Sequence, residues 1–163
     1  LETDLFNAGM KPAVNVGLSV SRVGSAAQVK SMKQVAGTMK LDLAQYRELE
    51  AFAQFSSDLD ERTKAQLNRG ERVYNTLKQG WDKPLKMEEQ VVVIYAAVHG
   101  LLDEIAANKI QDWEESYLQH MRSAERALLK QIAKEQVLSE QIDKKLVAAI
   151  TSFNTAHPEL KES

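Results

Sequence analysis

A chain of 163 residues, 44% of them apolar, is long enough to bury the core of one ordinary domain. A formal net charge of −2 spread over 27% charged residues gives no global attraction for nucleic acid or an anionic membrane, so any contact with phosphate must be local. The absence of cysteine excludes disulfide and thiolate chemistry, and no apolar run approaches the length that spans a bilayer.

The chain starts with Leu1 and reaches a strand pattern almost at once, which we read as a segment of a longer protein. Asn7-Ala8-Gly9 predicts a turn, and Lys11, preceding Pro12, is held extended. Val14, Val16, Leu18 and Val20 then alternate with Asn15, Gly17, Ser19 and Ser21, the period of a strand with one buried face. This strand ends at Arg22, and nothing later in the sequence supplies neighbours for it. A guanidinium at a strand's carboxyl end is a candidate phosphate reader; a surface arginine in an ion pair is the plainer alternative.

From Ala26 the period becomes helical, with Val29, Met32, Ala36, Met39, Leu43, Tyr46 and Ala53 along one stripe. Gly37 predicts a kink or a close helix contact inside it. Lys30, Lys33 and Lys40 read as a solvated face. A second helix is predicted to start at a capping box of Asp58 and Glu61 and to stop at Gly80, with Pro84 beyond. The third carries Met87, Val91, Ile94, Tyr95, Val98, Leu102 and Ile105; being apolar nearly all round between Val91 and Val98, it is the expected centre of a bundle. A fourth runs from about Lys109 to Lys134, and a fifth, capped by Ser139, ends at Pro158. The fold class is therefore mainly α: a bundle of about five helices over residues 26–163, preceded by a single strand and loop over residues 1–25.

No GxxxxGK[ST] loop occurs, so this chain lacks the usual triphosphate cradle. His99, His120 and His157 show no metal-ligand spacing, and no metal site is expected. The adjacent pairs Glu88-Glu89 and Glu114-Glu115 point to different helix faces and read as cap and solubility residues rather than an acid/base pair.

The strings PAVNVGLSVSRVGSAAQ from Pro12 to Gln28 and MKQVAGTMKLDLAQYRELEAFAQFSSDLD from Met32 to Asp60 closely resemble the alpha subunit of rotary F-type ATP synthases. The likeness continues through LKQG at Leu77 to Gly80 and EEQVVVIYAAVHGLLD at Glu88 to Asp103, and becomes looser beyond Asn108. It implies the last strand of a nucleotide-binding domain followed by a helical C-terminal domain. The family's alpha subunit alternates with a catalytic beta subunit in a hetero-hexamer around a central gamma shaft. This hexamer is peripheral to an energy-transducing membrane, on the cytoplasmic face in bacteria or the matrix or stromal face in organelles, and sits on a membrane-embedded proton motor. The resemblance implies neither insertion into the membrane nor a nucleic-acid partner.

The arginine of the family's SVSR motif falls on Arg22, whose implied role is a finger reaching across the interface to the terminal phosphate of ATP on beta. Fingers of this kind contribute ~10³ to 10⁵ in rate by stabilising charge on the phosphoryl oxygens. The family's non-catalytic pocket implies adenine contacts from Lys11 and Pro12 and from Gln79 to Trp81. Lys11 stands where arginine is usual and Trp81 where glutamine is common. A tryptophan can stack on adenine but lacks an amide's paired donor and acceptor. ATP or ADP with magnesium is the implied cofactor of the full-length subunit, with no strong binding expected of this segment alone and no hydrolysis by it. Two rival readings remain: a stand-alone helical interaction module indifferent to Arg22, and a nucleic-acid-binding bundle using Lys30, Lys33 and Lys40, which the acidic balance opposes.

Overall fold

A computed structural model describes residues 1–7, 9–15, 23–53, 59–80 and 82–162. The described elements are α1 (Thr3–Asn7), α2 (Gly24–Ala27), α3 (Lys30–Ala53), α4 (Glu61–Thr76), α5 (Met87–Val98), α6 (Ile110–Ser123), α7 (Arg126–Glu135) and α8 (Glu140–Ala156), with 3-10 turns at Ala107–Lys109 and Pro158–Leu160. The mainly helical class expected from the sequence is therefore observed. Of the expected strand from Val14 to Arg22, only Val14 and Asn15 are described, and neither lies in a strand; residues 16–22 lie outside the described residues.

Helix α3 starts at Lys30 rather than Ala26, because Gln28 adopts an extended conformation after the single turn of α2. The break lets the new helix end meet the loop between α7 and α8. Ser31 N–H donates to the Gln136 carbonyl at 2.9 Å, and the Gln34 amide side chain both donates to the Leu138 carbonyl, at 3.2 Å, and accepts from its N–H, at 2.9 Å. The first of these bonds satisfies a donor that the start of α3 leaves open. Val35, Ala36, Met39 and Leu43 line the buried face. Helix α3 runs unbroken through Gly37, which is exposed with open space around it, so no close helix contact occurs there. The close contact occurs instead at Gly70 on α4, packed directly on Tyr46 of α3.

Asp60 caps α4: its carboxylate accepts from the Thr63 backbone N–H and from the Thr63 hydroxyl, both at 2.9 Å. The expected cap, Asp58, lies outside the described residues, while Glu61 is the first helical residue and pairs with Lys64 at 2.9 Å. The helix stops at Thr76, short of the predicted Gly80, and the Thr76 hydroxyl donates to the Val73 carbonyl at 2.8 Å.

Helix α5 is the expected centre, buried from Val91 through Val93 and from Tyr95 through Val98 and packed against α3, α4, α7 and α8. It ends before Leu102 and Ile105, because His99 caps it and Gly100 takes a left-handed φ of 72°. Leu102 and Ile105 are buried all the same, carried into the core by turns.

The predicted fourth helix is two. Helix α6 closes at Ser123, whose hydroxyl donates to the Gln119 carbonyl at 2.9 Å and competes with the helix ladder, and α7 restarts at Arg126. The bend allows α6 to pack on α4 while α7 lies against α5 and α8. Ser139 caps α8 as predicted, and the buried stripe Ile142, Leu146, Ala149, Ile150 and Phe153 completes the core. Trp113, fully buried, donates from its indole N–H to Asn154 at 2.7 Å, and Asn154 donates in turn to the Leu101 carbonyl at 2.7 Å. The tail is tied back by Arg72, which is 2% exposed and donates to the Ile105 carbonyl at 3.1 Å and to the Glu162 carboxylate.

Candidate functional site

The local sequence sets up two irregular segments that the bundle brings together. Residues 9–15 follow the left-handed Gly9, bury Met10 and include a cis Lys11-Pro12 peptide. Residues 78–80 and 82–86 lie between α4 and α5 and are kept out of helix by Gly80 and Pro84. Gln79 N–H donates to the Lys11 carbonyl at 2.8 Å, so two positions singled out by the sequence become neighbours. The Gln79 side chain donates to the Lys83 carbonyl at 2.6 Å, and Lys83 N–H donates to the Gly80 carbonyl at 3.2 Å, closing a tight turn.

Around this junction stand two lysines and an amide, with the exposed carboxylate of Asp82 beside Gly80. Lys11 reaches over the Phe6 ring at 5.1 Å, and Lys78 over the Tyr74 ring at 5.5 Å. Pro12 is exposed on one side and on the other lines a small apolar cavity of about 160 Å³ with Met10, Leu43, Tyr74 and Leu77. Backbone, amide and cationic groups next to an apolar wall can hold a flat polar ring and an anionic substituent. Arg22 and Trp81 lie outside the described residues.

A second cavity, of about 550 Å³, lies on the other flank of the same loop, between residues 78–85 and α6. Glu114 lines it with one carboxyl oxygen sealed from solvent and without a hydrogen-bond partner, and burial pushes this carboxyl up to about 7. The sequence placed Glu114 and Glu115 on different helix faces and read both as cap or solubility residues. Only Glu115 fits that description, its carboxylate 3.7 Å from the Lys83 ammonium. The overlooked signal is spacing: Glu114 falls four residues after Ile110 and four before Leu118, on the buried stripe of α6. Glu88 and Glu89 do sit in the first turn of α5, yet Glu89 does more than complement the helix end. It accepts from Lys86 N–H at 3.0 Å and from Arg122 at 2.7 Å, and the Arg122 hydrogen bond holds its carboxyl below the usual range.

Two of the histidines meet one ring, His120 and His157 both packing against Phe153. His99 stacks on Tyr95 with centroids 3.9 Å apart, His120 packs near Phe153, and His157 pairs with Glu159 at 2.8 Å.

A family model described as ATP synthase alpha/beta chain, C terminal domain, matches residues 28–153. This span covers α3 through most of α8 and the whole loop that carries Gln79. The chain belongs to this family. It is thus part of a subunit of an ATP synthase assembly of several chains, and its helical bundle is the C-terminal domain. No described helix of this ATP synthase domain is long and apolar enough to cross a membrane.

Proposed function

We propose that the chain is the C-terminal part of an ATP synthase alpha subunit, with residues 1–25 ending its nucleotide-binding domain and residues 26–163 forming its helical C-terminal domain. The family match over residues 28–153 carries the assignment to ATP synthase. The choice of alpha over beta is supported by the SVSRVGSAAQ string and the stretches that follow it. In this reading the bundle packs beside beta, surrounds the gamma shaft and helps build the hetero-hexamer of a proton-translocating complex peripheral to its membrane. The segment itself hydrolyses nothing.

The proposed chemistry divides between two places. Arg22 acts in trans as an arginine finger on ATP held by beta, its planar fork meeting the phosphoryl oxygens as charge develops. Lys11, Pro12, Gln79 and Trp81 form the adenine side of the non-catalytic nucleotide site, which takes ATP or ADP with magnesium in the full-length subunit. The hydrogen bond from Gln79 N–H to the Lys11 carbonyl supports this second part, since it joins two of the four positions without reference to any ligand.

The test is ATP turnover by the assembled alpha-beta-gamma complex with full-length alpha, comparing wild type with Arg22→Lys at matched assembly. A fall of about 10² or more with nucleotide binding retained is expected, because lysine supplies charge without the bidentate geometry. Unchanged turnover overturns the finger and leaves a structural frame.

A further inference from the structure

The cavity behind Pro12 has no role in the function proposed above. Neither Lys11 nor Gln79 lines it; its walls are residues from the segment 10–14, Leu43 and Ala44 of α3, and Tyr74 with Leu77 at the end of α4. Its volume of about 160 Å³ suits a single aromatic ring, since apolar cavities of roughly 150 Å³ stay dry and accept benzene. A nucleobase suits it poorly. Ring nitrogens and an amino group would lose their water against a lining whose hydrogen-bonding side chains are Arg47 and Tyr74.

Arg47 is the group that an apolar pocket does not explain. It stands one turn after Leu43 on α3, half-buried, and among the described residues its guanidinium makes neither an ion pair nor a hydrogen bond. The carboxylate three residues on, Glu50, already accepts from the Tyr46 hydroxyl at 3.0 Å. The charge of Arg47 is felt at Tyr74, where burial pushes the phenol up and the guanidinium partly opposes it. Lys78, with its ammonium 5.5 Å from the centre of the Tyr74 ring, adds a second positive charge beside the cavity. A guanidinium has donors only, so a half-buried one without a partner is an open seat for an oxyanion, and its planar fork matches a carboxylate.

We propose that this cavity binds a small aromatic carboxylate, the ring filling the space between Pro12, Leu43 and Leu77 while Arg47 holds the carboxylate. The site stands apart from the reading of Lys11 and Gln79 as nucleotide contacts and does not depend on it. Because one wall comes from the segment 10–14 and the others from α3 and α4, a bound ligand ties that segment to the bundle and raises the stability of the folded chain.

The test is titration of the 163-residue chain with sodium phenylacetate, followed by calorimetry and by the methyl resonances of Met10, Leu43 and Leu77. Phenylacetamide keeps the ring without the charge, and acetate keeps the charge without the ring. Phenylacetate should saturate in the millimolar range or below and shift all three sets of methyls. Phenylacetamide should bind about tenfold more weakly or worse, the weight of a hydrogen bond between charged groups, and acetate should not saturate. Arg47→Gln should lower phenylacetate to the level of phenylacetamide without weakening the latter. Ala44→Leu, which places a larger apolar side chain at the cavity from α3, should abolish both. The proposal is overturned by a failure of phenylacetate to saturate, by equal affinity for the two ring probes, or by binding that survives either substitution unchanged. Should Ala44→Leu fail to fold, Arg47→Gln and the methyl shifts decide alone, and shifts centred away from those three residues overturn the proposal.

Discussion

Two glycines on helices should respond to alanine with opposite signs. In a helix interior, Gly→Ala gains about 0.5–1 kcal/mol from backbone entropy. Gly37 collects that gain in full, because it is exposed on α3 and an added Cβ would meet nothing within 4 Å. Gly70 does not: its added Cβ would lie 2.4 Å from Tyr46 Cβ and 2.6 Å from Tyr46 Cγ and Cδ2. Relieving such an overlap means moving α3 and α4 apart along their shared face, and overpacking of this kind costs about 1–3 kcal/mol, in places more. The net expectation is a loss of about 1–2 kcal/mol for Gly70→Ala, against a gain of about 0.5–1 kcal/mol for Gly37→Ala. In a chain of this size each kcal/mol moves Tm by about 2–4 °C. Urea unfolding at constant m-value is the suitable assay, since it separates stability from a change in compactness. The ring is not the nearest obstacle, so Tyr46→Ala, which retains Cβ, should not restore Gly70→Ala. Equal stabilisation by both alanines would refute the reasoning.

Stability should fall with rising pH because of Glu114. Its folded-state pKa, about 7, lies above its ordinary value of 4.5, so the folded chain binds more protons than the unfolded one between those values. Wild type should therefore lose about 2–3 kcal/mol relative to Glu114→Gln as pH rises from 4.5 through 7, the difference levelling off about one pH unit above 7, as read from paired urea titrations. Arg72→Ala should free the tail, since it removes the buried guanidinium that holds Ile105 and Glu162; limited proteolysis near Leu160 should accelerate, with a global loss of about 2–4 kcal/mol. Ser139→Ala should cost about 0.5–1 kcal/mol, the lower part of the N-cap range, because its bond to Ile142 N–H is long at 3.4 Å; equilibrium unfolding measures it.

Much of the bundle was legible because the forces that set it are local. The stripe through Met39 and Leu43, the all-round apolar run of α5 and the Ser139 cap are written within a few turns of chain, and helical periodicity reads them directly. The left-handed Gly100 was legible in principle too, as a glycine following an apolar helix, but the buried Leu102 and Ile105 prolonged the apparent periodicity past it.

For the site, the residues alone marked Lys11 only as the residue before a proline and Gln79 only as part of a helix end. It was the resemblance of neighbouring strings to a known subunit that linked them. Their contact depends on α3 and α4 holding residues 9–15 against the end of α4, which no local pattern encodes. Glu114 is the same lesson in reverse: its charge type predicted exposure, yet tertiary packing seals one of its carboxyl oxygens from solvent. Sequence by itself determined where helices form and which family they belong to, since turn-scale periodicity and long matching strings suffice for both. The tertiary structure decided which irregular segments meet and which carboxyl loses its water, because desolvation and long-range docking arise only when separate elements close on one another.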